Sequence, residues 1–205
     1  MTNPTMLDAE ELLHFAIKAS RSSENEKAIL YLKHALALEP ENAKIHYFLG
    51  AQHAEIGMYD RAIADMTKAV SIDSNLDTAH FQLGLLYATS GRIDEATTAW
   101  KSLDKLGNKH PLVLFKTGLI HLASDKFTEA EECLSQGIEL NSANPNLNHD
   151  MQKIIQNLQA AVKSVNSAVA TAGADSPKPN AGNNIFLAAY NNEDDEKKEK
   201  KDKKH

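Results

Sequence analysis

Small side chains punctuate the first two-thirds of the chain at a fixed interval. Ala16 and Ala28, Gly50 and Ala62, Gly84 and Ala96, and Gly118 and Ala130 each lie twelve positions apart. The first members of successive pairs lie 34 apart, so units begin at Ala9, Ala43, Asp77 and Pro111. Apolar residues recur in the same phase. Unit position 7 holds Phe15, Leu49, Leu83 and Thr117; position 24 holds Leu32, Met66, Trp100 and Leu134; position 27 holds Ala35, Ala69, Leu103 and Gly137. Spacings of three and four predict two amphipathic helices per unit. In the second unit these span 43–56 and 60–73. Gly57 and Gly91 stand where the first helix must stop, because glycine enters the left-handed region without a Cβ penalty. Ser23 and Asp125 occupy that place in units one and four. Asp60 and Asp94 follow in the first turn of the second helix, facing unpaired backbone N–H groups. Pro111 suits a first helical turn, where its missing N–H costs nothing.

The run Gly57-Met58-Tyr59-Asp60-Arg61-Ala62-Ile63 and the run Gly91-Arg92-Ile93-Asp94-Glu95-Ala96 closely resemble the central turn of the tetratricopeptide repeat family. The small residue at position 8 and the alanine at position 20 are similar to that family in all four units. The resemblance implies an all-α fold, a right-handed superhelical solenoid of antiparallel helix pairs, with repeats at 9–42, 43–76, 77–110 and 111–144. Small residues at positions 8, 20 and 27 let paired helices approach, and each pair buries its apolar face only by stacking on the next. Two departures stand out. The family's proline at position 32 survives only as Pro40, and Gly137 replaces the usual alanine at position 27, so repeat four is expected to be the loosest.

Residues 1–8 form a lead-in. Beyond Pro145, Met151, Ile154, Ile155, Leu158, Val162 and Val165 keep helical spacing, which predicts a capping helix over 146–168 that covers repeat four. A helix that dimerises is the rival reading of that stripe. Composition then changes. Residues 169–184 read as a flexible linker rich in Ala, Ser, Gly, Pro and Asn. Ile185, Phe186, Leu187 and Tyr190 form an apolar island, 185–190, that reads as a short motif. It would serve a partner, or dock in the protein's own groove, or have no role. Residues 191–205 read as a charged, disordered tail; from 193 onward it holds six acids and six lysines.

The 205 residues carry a formal charge of −6, with no basic face suited to nucleic acid. One cysteine, Cys133, allows no internal disulfide, and no leader or membrane-spanning run is visible; the expectation is a soluble, cytoplasmic protein without membrane insertion. No phosphate loop, paired-cysteine motif or nucleophile elbow appears, so no catalytic activity and no cofactor are expected. Nine histidines raise a metal reading. His46 and His80 share position 4, and His53 and His121 share position 11. Semi-buried packing residues explain them more simply than three or four converging ligands, so no metal site is expected.

In the family, positions 2, 5, 6, 9, 12 and 13 of the first helix line the concave face. By that resemblance the wall would carry Leu13, Ile17, Tyr47, Phe48, Phe81, Leu85, Phe115, Leu119 and Leu122. The expected function is an adaptor or scaffold that holds an apolar peptide or helix on this face. The rival for the position-5 aromatics is ordinary packing on neighbouring helices. Two narrower functions also fit: a secretion-type chaperone holding an apolar substrate, and an adaptor whose own 185–190 motif fills the groove. The family's chaperone-tail clamp needs Lys and Asn at positions 5 and 9; Leu13 and Ile17, or Tyr47 and Ala51, stand there instead, which excludes that recognition.

Overall fold

The computed structural model describes residues 7–171, with side chains described through residue 163. The expected linker 169–184 lies almost wholly beyond that range. The 185–190 motif and the 191–205 tail lie outside it altogether. Among the described residues the chain is all-α. Its helices are α1 (Ala9–Arg21), α2 (Asn25–Leu38), α3 (Ala43–Glu55), α4 (Tyr59–Ile72), α5 (Asp77–Thr89), α6 (Ile93–Trp100), α7 (Pro111–Ala123), α8 (Phe127–Leu140) and α9 (Pro145–Thr171). A 3-10 segment, Lys101–Leu106, follows α6.

The turn inside each repeat is the same structure four times. Ser23, Gly57, Gly91 and Asp125 have φ of 57°, 76°, 76° and 57°. Each closes a double hydrogen bond that satisfies the last carbonyls of the helix before it. In repeat two, Gly57 N–H donates to Ala54 O at 3.0 Å and Met58 N–H to His53 O at 2.8 Å. Glu24, Arg92 and Lys126 donate to Ala19, Tyr87 and His121 in the same way. This is the helix-terminating geometry that favours a left-handed residue one position beyond the cap. Helix starts are sealed differently. Asp8 and Glu11 form a reciprocal capping box on α1, and Asn42 accepts from Lys44 and Ile45 on α3.

The chain divides into two compact units, Met1–Leu86 and Tyr87–His205. In the first, α1 pairs with α2, α3 with α4, and α3 packs on α2. Its core gathers Ala9, Leu12, Ala16, Leu32, Ala35, Ile45 and Leu49. Position 8 must be small because it lies on the partner helix: a Cβ on Gly50 would sit 3.1 Å from both Ala62 O and Met66 Cγ.

In the second unit α7 pairs with α8, and α9 packs on α8. Gly118 repeats the role of Gly50: a Cβ there would sit 3.1 Å from Ala130 O and 2.8 Å from Leu134 Cγ. The capping helix buries Leu147, Met151, Ile154, Ile155 and Leu158. Asparagines lock its base: Asn141 Nδ2 donates to Asn148 Oδ1 at 2.7 Å, and Asn148 Nδ2 donates back to Asn141 O at 2.8 Å. Repeat three departs from the expected pattern. Its second helix is α-helical for only eight residues before tightening to 3-10. At that transition the Trp100 carbonyl accepts from Lys116 Nζ, which also pairs with Asp104. The expected looseness of repeat four at Gly137 is answered by the Phe115 ring, which lies where the missing side chain would be.

Candidate protein-interaction surface

In the first unit α1 and α3 lie side by side. Gln52 Nε2 on α3 donates to Ser20 Oγ on α1 at 2.8 Å, a bond between side chains 32 residues apart. Leu13 and Phe48 flank the core as partly buried side chains, and Ile17 and Tyr47 are also half-buried. Tyr47 meets Phe48 edge to face, with ring centroids 5.2 Å apart. Burial raises the Tyr47 phenol above its ordinary range, and its hydrogen bond with Thr78 opposes that shift. The phenol therefore stays neutral and its ring is held in place. Leu13, Ile17, Tyr47 and Phe48 are thus half-buried apolar side chains on α1 and α3.

Phe81 and Leu85, also in the first unit, are each only 1% exposed. In α5, Ala79, Phe81, Leu83, Leu85, Leu86 and Ala88 are all buried, so apolar contacts run around most of the helix. In the second unit Phe115, Leu119 and Leu122 show no exposed surface at all. There α7 buries every residue from Leu112 to Lys116. A Cβ at position 137 would fall 2.5 Å from Phe115 Cε1, so the ring is seated against the α8 backbone. These five side chains offer almost nothing to a ligand in this structure, and packing accounts for them. Position 6 of repeat four, Lys116, is likewise turned inward.

His46, His53 and His80 each have a structural partner. His46 Nε2–H donates to Pro40 O at 2.9 Å, and His80 Nε2–H donates to Ser74 O at 3.2 Å. Both therefore tie position 4 of a repeat to position 32 of the repeat before it. His53 Nδ1 lies 2.7 Å from Asp65 Oδ2. Sequence reasoning missed that pairing, although positions 11 and 23 face each other whenever both helices of a repeat are drawn in phase. Among the described residues no group of three or more His, Cys, Asp or Glu side chains converges as metal ligands. Cys133 is half-buried; burial, then the neighbouring Glu132 and Glu129, push its thiol up. That favours the thiol over the nucleophilic thiolate. No described helix is long and apolar enough to cross a membrane.

Residues 13–77 match the family model for the tetratricopeptide repeat. Over those residues, helices α1 to α4 are similar to tetratricopeptide repeats. Among solved structures, the crystal structure of MamA is similar at 23% identity over 64% of this chain and 77% of that one, with a TM-score of 0.55. A tetratricopeptide repeat protein from Parabacteroides merdae is similar at 16% identity over 94% and 75%, with a TM-score of 0.60. PilF of Pseudomonas aeruginosa is similar at 19% identity over 89% and 88%, with a TM-score of 0.56. At these identities the likeness is one of fold. No curated protein matches the sequence at a significant level.

Proposed function

We propose that the protein is an adaptor that binds an apolar peptide or helix segment through Leu13, Ile17, Tyr47 and Phe48. Repeats of this fold support a protein-interaction scaffold in general. The observation that carries the narrower reading is the arrangement on α1 and α3. Four apolar side chains keep solvent-facing surface there, and two of them, Leu13 and Phe48, rest on a packed core. The neighbouring polar groups, Ser20 and Gln52, are neutral and occupied with each other. Such a surface favours apolar segments, with exposed Glu10 and Lys44 one turn away on the same helices. The role assigned is binding, with no catalytic step.

The test is affinity capture with the wild type and with a Leu13→Gln, Ile17→Gln variant, both checked by circular dichroism. Loss of specific partners from a folded variant is the expected result. Undiminished capture by that variant overturns the assignment of the surface.

A further inference from the structure

Among the described residues, nothing covers the face of α1 that in repeat two stacks on the repeat before it. In repeat two, positions 3, 7 and 10 are Ile45, Leu49 and Gln52; all are buried, Leu49 to 4% exposure. In repeat one the same positions are Glu11, Phe15 and Lys18, and all three are exposed, Phe15 at 40%. Among the described residues no helix precedes α1 to cover them. Phe15 is held from behind by Tyr31, ring centroids 5.7 Å apart. Leu7 stands exposed beside it, and Leu7, Asp8, Glu10, Glu11, His14 and Phe15 line a shallow hollow of about 430 Å³.

Asp8, Glu11, Phe15, Lys18 and Ser22 are spaced by three and four, so they form one stripe along α1. The stripe reads acid, acid, aromatic, base, with Arg21 adjoining its far end. We infer that this face docks onto the same face of a second copy, with the two α1 helices antiparallel about a two-fold axis near Phe15. Such an axis brings the two Phe15 rings together and sets each Glu11 across from Lys18 of the other copy. It also sets Asp8 near the other copy's Arg21. A parallel pairing would oppose like charges, so the charge order itself selects the antiparallel one. The face lies across the helix from Leu13 and Ile17, so pairing leaves the proposed peptide surface free. One helix of thirteen residues, about 20 Å long, makes a contact smaller than the ~1,200 Å² typical of stable complexes. The pairing is accordingly weak and reversible, with a dissociation constant of roughly 10 µM to 1 mM.

Sedimentation velocity of the full chain from low-micromolar to several hundred micromolar concentration tests this. The wild type should sediment faster as concentration rises, and added salt should reverse the change. E11K and K18E should each weaken association by about tenfold or more, through opposed like charges, and F15E should abolish it. Mixing E11K with K18E at equal amounts should restore association, because each Lys then meets a Glu. Glu11 also closes the capping box, so K18E and F15E, which leave the box intact, decide the matter if E11K melts early. A wild type that stays monomeric throughout overturns the inference. So does self-association that K18E and F15E leave unchanged, or a mixture of two folded variants that fails to recover it.

Discussion

Replacing Gly137 with alanine sets the average of the repeats against the geometry of this one. Position 27 is alanine in repeats one and two, as Ala35 and Ala69, and glycine inside a helix costs about 0.5–1 kcal/mol relative to alanine. By that reasoning Gly137→Ala stabilises. The structure predicts the opposite sign. The new Cβ would lie 2.5 Å from Phe115 Cε1 and 2.6 Å from Cδ1, where comfortable carbon contacts need about 3.5–4.0 Å. Phe115 is wholly buried, so its ring has no solvent to retreat into. Overpacking of this kind costs about 1–3 kcal/mol, and subtracting the helix gain leaves a net loss centred on about 1 kcal/mol and reaching about 2.5 kcal/mol. For a chain of this size that lowers Tm by roughly 2–8 °C. Thermal and urea denaturation followed by circular dichroism measure it, with hydrogen exchange on α7 and α8 to locate the loss. A Phe115→Leu change should hurt the wild type by leaving a void, yet hurt the Gly137→Ala background less. A Gly137→Ala protein with a raised Tm, or a double mutant whose losses simply add, would refute the packing argument.

Three of the four left-handed turns give a matched series. Ser23→Gly should stabilise by about 0.5–1 kcal/mol, whereas Gly57→Ala and Gly91→Ala should each destabilise by about 1 kcal/mol in urea titrations. A Cβ at Gly57 or Gly91 meets nothing within 4 Å, so only backbone strain is at work there. Lys116→Met should cost about 1–3 kcal/mol, because it strips the Trp100 carbonyl of its side-chain donor in a buried setting; a melting curve identical to the wild type's would contradict that role. Cys133 should alkylate slowly with iodoacetamide, its rate levelling off at a higher pH than that of an exposed thiol. Its folded-state pKa is raised, so less thiolate is present at any given pH.

The repeat phase was readable from small residues alone, because positions 8 and 20 are set by how closely two helix backbones approach. The same phase located all four reversing turns, including the two without glycine. What periodicity does not carry is the direction an aromatic takes once its helix is apolar on every side. Phe115 points to Gly137, twenty-two residues later in the chain, and only the shape of that one site says so. Phe81 and Leu85 are hidden for a related reason: α5 has apolar residues around most of its circumference, so no polar side marks the solvent. In α1, Leu13 and Ile17 lie beside the exposed polar residues His14 and Lys18, and both keep part of their surface exposed. The early end of α6 has no mark in the hydrophobic pattern. It comes with a lysine in the next repeat bonded to a helix-terminal carbonyl, a contact spanning sixteen residues.

Selection of peptides from a random library on the immobilised protein bears most directly on the proposed binding role. Enriched peptides should be apolar and low in charge. Their binding should protect backbone amides of α1 and α3 from hydrogen exchange, and should disappear in the folded Leu13→Gln, Ile17→Gln variant. Enrichment of strongly charged peptides, or of apolar ones that bind the variant equally well, would contradict it.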